Sequence, residues 1–199
     1  MPRIIKNRQI VEDDWQVLAL AAGETPDTVP LPAAPVLLPL SVWQARRDEI
    51  IARAAPLGVW LDSHEGPEAL AGDIDRFTVI GVNFPKFTDG RSYSSARLLR
   101  ERYGYGGEIR ALGDVLQDQL FYMQRCGIDA YALRADKDME KALAGLSVFS
   151  EAYQAADYEM LLSVVNEADE ADAYRRMRLK GSADGAIVHG PKLNDPRIP

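Results

Sequence analysis

Phe77-Thr78-Val79-Ile80-Gly81-Val82 leads, through Asn83, into Phe84-Pro85-Lys86-Phe87-Thr88-Asp89-Gly90-Arg91-Ser92-Tyr93-Ser94 and then into Ala96-Arg97-Leu98-Leu99-Arg100-Glu101-Arg102-Tyr103. The first stretch is a short apolar run that reads as a buried strand, and the last reads as a helix with Leu98 and Leu99 turned inward. The middle stretch is therefore a strand-to-helix loop, rich in charge, hydroxyls and glycine. Loops held on a rigid scaffold are where binding and chemistry concentrate.

The same unit recurs on both sides. Val36-Leu37-Leu38 reads as a strand, and Ser41-Val42-Trp43-Gln44 has capping-box spacing for a helix reaching about Ala54. Leu57 to Leu61 is the next strand, and Gly66-Pro67 opens a helix with proline in its first turn. After the central unit, Glu108 to Leu112 is a strand. Asp114 to Gln117 again has capping-box spacing, for a helix that closes at Cys126-Gly127. Asp129 to Leu133 is a fifth strand, and Asp136 opens a helix reaching about Ser150. Five βα units in succession predict an α/β fold with a parallel sheet and right-handed crossovers. An open doubly wound sheet and a partial (β/α) barrel both satisfy the pattern.

Three regions are expected: a hairpin and proline-rich linker over 1–34, the α/β domain over 35–155, and an extension over 156–199. In the first, Ile4-Ile5 and Ile10-Val11 flank Lys6-Asn7-Arg8-Gln9, and four prolines crowd 26–35. In the last, 157–180 is charge-rich and reads as one more helix. Residues 181–199 are poor in apolar side chains and read as a disordered tail.

The chain has 199 residues, 47% hydrophobic and 27% charged, with a net charge of -7. That balance argues against nucleic acid as a partner. No run approaches the ~20 apolar residues of a membrane span, and no signal sequence is visible, so the expected location is the cytoplasm. Cys126 is the only cysteine. Near a helix C-terminus it reads as a buried structural thiol, and one thiol cannot hold a four-thiolate iron–sulfur cluster. The two histidines, His64 and His189, lie too far apart in sequence to suggest a metal site. Gly104-Tyr105-Gly106-Gly107 follows a helix, whereas a dinucleotide fingerprint follows a strand. The residues name no cofactor and no catalytic group.

In parallel α/β proteins ligands bind beyond the carboxyl ends of the strands. That rule selects Asp62, Ser63 and His64, then Lys86, Thr88, Asp89 and Arg91, then Gly113 and Asp114, then Arg134. Lys86, Asp89, Arg91, Asp114 and Arg134 form the candidate anion- or substrate-binding set. A helix start after Gly90 attracts anions, and arginine can grip an oxyanion with two parallel bonds. Each residue has a structural reading beside the functional one. Asp114 is expected to cap the helix with Gln117, Asp89 either caps or serves the site, and Arg91 either binds an anion or pairs with Asp89 or Glu101. Arg97, Arg100 and Arg102 read as a solvated helix face.

The run FPKFTDGRSYSSARLLRERYGYGGEIRALGDVLQDQLFYMQRCGIDAYALR, residues 84–134, resembles the bacterial DUF934 family, as does IIKNRQIVEDDW at 4–15. Ser92 stands where that family commonly has glycine. The resemblance covers about residues 1–154. It implies a setting in assimilatory sulfate reduction, because members are commonly encoded beside the sulfite reductase haemoprotein. The resulting expectation is an accessory or binding protein of sulfite reduction, with sulfite reductase as partner and a small anion as ligand. The alternatives are an enzyme acting on a small oxyanion or phosphorylated substrate, or an oxidoreductase of sulfite reduction. The last finds no support in the residues, since no flavin or nicotinamide fingerprint is present.

Overall fold

The computed structural model describes residues 2–146. The helix expected over 157–180 and the tail over 181–199 lie outside them. The strands are β1 (Arg3–Lys6), β2 (Gln9–Glu12), β3 (Gln16–Val17), β4 (Val36–Pro39), β5 (Leu57–Leu61), β6 (Val79–Phe84), β7 (Glu108–Gly113) and β8 (Ala130–Tyr131). The helices are α1 (Leu40–Ile51), α2 (Arg91–Glu101), α3 (Leu120–Arg125) and α4 (Met139–Gly145).

All eight strands join one sheet in the order β2-β1-β8-β7-β6-β5-β4-β3. From β3 to β8 the pairing is parallel and follows the chain strand by strand. A doubly wound sheet reverses its strand order partway, and this one does not. Right-handed crossovers in unbroken succession place the helices on one side and curl the sheet into a half-barrel. The sheet is mixed rather than wholly parallel, because β1 runs antiparallel to both β2 and β8.

The curl can be bounded from chain length. The outer strands of a flat eight-stranded sheet would stand roughly 34 Å apart at ~4.8 Å per strand. Yet the end of β2, Glu12, and the start of β3, Gln16, are joined by only residues 13–15. Four extended steps reach no more than about 14 Å. The two edges of the sheet therefore approach one another at that corner.

Five complete βα units do not form. After β5 the chain makes only two short 3₁₀ turns, Pro67–Leu70 and Ile74–Arg76. Gly72 interrupts the segment, and Leu70 and Ile74 already bury its apolar content. The unit after β7 is likewise split into a 3₁₀ turn, Gln117–Gln119, and the short α3. Helix α1 begins at Leu40 with Pro39 in the capping position, so Ser41 lies inside the helix and caps nothing. Its φ and ψ leave the helical region at Arg46. There Arg46 grips Glu49 and donates to Val29 O at 2.6 Å, while Arg53 donates to Pro32 O. Two arginines thus fasten the proline-rich linker to α1.

Period-two alternation divides the strand residues between two packed faces. Val36, Leu38, Val59, Leu61, Ile80, Val82, Phe84, Ile109 and Ala111 share a core with Trp43 and Ile50 of α1, Leu99 of α2, and Leu120 and Met123 of α3. The alternate residues line the inside of the curl, where space is tight. A Cβ on Gly58 would lie 2.8 Å from Leu37 Cδ2 and 3.0 Å from Trp15 Cζ3. One on Gly81 would lie 2.8 Å from both Leu112 Cδ1 and Trp60 Cβ. Leu18 reinforces this filling, its carbonyl accepting from Trp60 Nε1 at 2.8 Å and its N–H donating to Leu37 O at 2.9 Å.

Two arginines act structurally. Arg110, on the inner face, has a side chain only 2% exposed and bonds Asp13 Oδ2 at 2.8 Å and Glu108 Oε1 at 2.6 Å. Glu108 in turn meets Lys6 Nζ at 2.7 Å. Arg100 was expected among solvated residues. Instead it donates to the carbonyls of Gly127, Tyr105 and Gly107 and to Asp129 Oδ2, tying together the segments that enter β7 and β8. Cys126 is buried at the C-terminus of α3. Among the described residues no helix is long and apolar enough to cross a membrane.

Candidate functional site

The carboxyl ends of β5, β6, β7 and β8 form one rim, because parallel neighbours in register end together. Leu61 pairs with Val82 and Phe84 with Gly113. The chain leaves β5 through Asp62-Ser63-His64, leaves β6 through 85–90, leaves β7 at Asp114 and leaves β8 toward Arg134. The five candidate residues all lie on this rim, but they fall into two ion-paired groups and one separate lysine.

The first group is Ser63, Asp89 and Arg91. Arg91 forks onto Asp89, Nε to Oδ1 at 3.0 Å and Nη2 to Oδ2 at 2.7 Å. Its Nη2 also donates to Ser63 Oγ at 2.9 Å, and Ser63 Oγ donates to Asp89 Oδ2 at 2.8 Å. The Arg91 backbone N–H reaches Asp89 Oδ1 at 3.2 Å, so Asp89 covers the first N–H of α2. Hydrogen bonds from Arg91 and then Ser63 hold the Asp89 carboxyl well below the usual carboxylate range. The bond to Asp89 raises the Arg91 guanidinium in return. Beneath them Asn83 Nδ2 donates to Asp62 Oδ1 at 3.0 Å, and His64 Nδ1 stands 3.4 Å from Asp62 Oδ2.

The second group is Asp114, Arg134 and Asp136. Asp114 does not cap a helix with Gln117. The helical turn begins three residues later, where Gln119 Oε1 accepts from the Leu116 N–H at 3.1 Å. Gly113, at φ +88°, turns the chain, and Asp114 instead accepts from the Phe87 N–H at 3.1 Å and from Arg134 Nη1 at 2.9 Å. Arg134 forks onto Asp136 at 2.6 and 2.9 Å. That fork keeps the Asp136 carboxyl far down and pushes Arg134 up. The bond from Phe87 to Asp114 is the stitch between the two groups.

Lys86 is exposed, and the adjacent Phe87 is 53% exposed at the tip of the loop. Aromatic contacts continue outward from the core: Phe84 to Tyr93 at 4.9 Å, then Tyr93 to the 53% exposed Tyr122 at 5.0 Å. Ser63, Asn83 and Asp136 are contributors that the candidate set lacked. Ser63 stands in the post-strand position that the rule selects. Asn83 and Asp136 become visible only through their partners. No group of three or more histidine, cysteine, aspartate or glutamate side chains that could hold a metal is found among the described residues.

Residues 58–161 match the family described as bacterial protein of unknown function, DUF934. The match spans more than half of the chain, and the chain belongs to that family. No curated protein matches it, and neither does any solved structure.

Proposed function

From membership of a family with no assigned activity, we propose that the chain is an accessory protein of assimilatory sulfite reduction that binds its partner through this rim. The observation that carries the reading is the state of the rim's charges. Asp89 and Asp136 are pushed down, Arg91 and Arg134 are pushed up, and each pair is fixed by a two-pronged ion pair. Groups locked in their charged forms do not trade protons near neutral pH, which general acid–base catalysis requires. They do present a fixed pattern of charge. Exposed Lys86 and Phe87 project beside that pattern, and aromatic residues and arginines are the side chains that dominate binding surfaces. The sulfite-reducing setting comes from the resemblance described above.

A small oxyanion binds weakly on this reading. Arg91 already spends Nε and Nη2 on Asp89 and Ser63, and its Nη1 carries no hydrogen bond among the described residues. An incoming sulfite or phosphate meets that outer edge without displacing Asp89.

The test is biolayer interferometry of the full chain against purified sulfite reductase from the same organism. Phe87→Asp is expected to weaken binding by about tenfold or more, as loss of an aromatic anchor does, with an unchanged thermal melt. No association at tens of micromolar, or wild-type binding by Phe87→Asp, overturns the proposal.

A further inference from the structure

A groove of about 420 Å³ opens at the opposite end of the sheet from the rim. It lies between the end of α1, the loop into β5 and the turn before β6. Ile51, Ala54, Pro56 and Leu57 give it apolar walls, and Arg53 and Arg76 add guanidinium groups. Ile51 is among the exposed large apolar side chains of the described residues.

The arginines of this groove are less fully committed than Arg91 and Arg134 of the rim. Arg76 Nε donates to Asp73 Oδ1 at 2.9 Å, but Arg47 grips the same carboxylate with bonds of 2.8 and 2.6 Å. One carboxylate thus serves two guanidiniums. Asp48 reaches Arg47 only at 3.5 Å, with its side chain 98% exposed to screening water. Arg53 donates to a neutral carbonyl, that of Pro32. Glu49, the acid whose charge Arg53 feels, is held by Arg46 through two bonds of 2.8 and 2.6 Å. Among the described residues Arg53 therefore holds no carboxylate, and Arg76 commits only its Nε to one, so both keep guanidinium N–H groups for an anion even with Asp75 in the same turn.

We propose that this groove is a binding site for a small amphiphilic anion. The apolar body lies against Ile51, Ala54, Pro56 and Leu57, and a carboxylate or phosphate head lies between Arg53 and Arg76. Apolar walls with a few convergent polar groups are the usual make-up of a small-molecule site. An inorganic anion lacks the body, and a neutral alcohol lacks the head, so neither satisfies both halves of the groove.

The experiment is a titration of the full-length protein with octanoate, followed in ¹H–¹⁵N spectra, with octanol and inorganic phosphate as comparisons. Octanoate is expected to give saturable shifts confined to amides of residues 50–57 and 76–78, with rim amides 86–91 unmoved. Octanol and phosphate are each expected to bind at least about fivefold more weakly. Arg76→Gln is expected to weaken octanoate about five- to tenfold, the scale of one charge-assisted contact at a partly exposed site. Ile51→Asp, at a position 36% exposed, is expected to abolish binding while its ¹H–¹⁵N spectrum stays folded. Shifts that fail to saturate, equal response to octanol, or unchanged binding in Ile51→Asp each overturn the site. Loss of partner binding at the rim leaves these outcomes untouched, so the two proposals fail separately.

Discussion

Replacing Arg110 by methionine cuts the only ion-paired arginine that is buried inside the curl among the described residues. The wild-type side chain neutralises Asp13 and Glu108, whose side chains are 8% and 7% exposed. The two acids are not left equally stranded. Glu108 keeps Lys6 at 2.7 Å, whereas among the described residues Asp13 keeps only the Trp15 N–H at 3.3 Å. Removing one partner of a buried pair costs about 3–5 kcal/mol, chiefly through the charge left behind. With one acid still paired, the middle of that range applies, about 4 kcal/mol. That is a large share of the ~5–15 kcal/mol that holds a domain together. At roughly 2–4 °C per kcal/mol, the melting temperature falls by about 8–16 °C. Urea unfolding followed by tryptophan fluorescence reads the change, since Trp15 and Trp60 both stand on that inner face. Lys6→Met is the internal control: its side chain is 42% exposed, and the expected cost is about 1 kcal/mol or less. Replacing all three inner charges at once, Asp13→Leu with Glu108→Leu and Arg110→Met, leaves no stranded acid and is expected to recover most of the loss. A single Arg110→Met variant within about 1 kcal/mol of wild type would refute the reasoning.

Gly81→Ala places a methyl group 2.8 Å from Leu112 Cδ1 and Trp60 Cβ, and is expected to cost about 1–3 kcal/mol by the same urea assay. Asp89 has its folded-state carboxyl pushed below the unfolded value of 3.8, so its contribution is present above that pH and is lost as pH falls below it. The stability of Asp89→Asn is accordingly expected to fall less than that of wild type between roughly pH 4 and 2, read from unfolding curves at each pH.

The parallel core was legible because its strands are short, continuous apolar runs separated by helical or glycine-marked segments. Phe77 to Val82 needs burial on both faces, and only a covered sheet provides it. What the pattern hid was remote pairing. Arg110 meets Asp13, a partner 97 positions upstream that no local spacing points to. A signal did exist. Glu108 and Arg110 alternate within Glu108-Ile109-Arg110-Ala111-Leu112, and two charges on one face of a central strand demand partners. Arg100 was misplaced because helix periodicity does not reveal a neighbouring loop whose carbonyls require donors. On the rim, strand-end logic picked residues that the sheet does bring to one end, but local spacing could not say which carboxylate each arginine would take. Gln117 and Gln119 are both within reach of a helix start, and Gly113, by turning the chain at positive φ, decided for the later one.

The pairing of β1 with β8 sets a schedule for folding. Ile5 lies opposite Tyr131, so almost the whole described chain must be synthesised before the first strand finds its neighbour. Until then the β1–β2 hairpin stands alone, and an isolated hairpin is marginal in water. Contacts this distant in sequence also slow folding, because a long loop must close before they form. The nascent protein therefore passes through a stage in which the open edge of β8 and the apolar pair Ile4-Ile5 are both unprotected. A fragment lacking β1 would keep the edge of β8 unpaired for its lifetime, open to association with other chains.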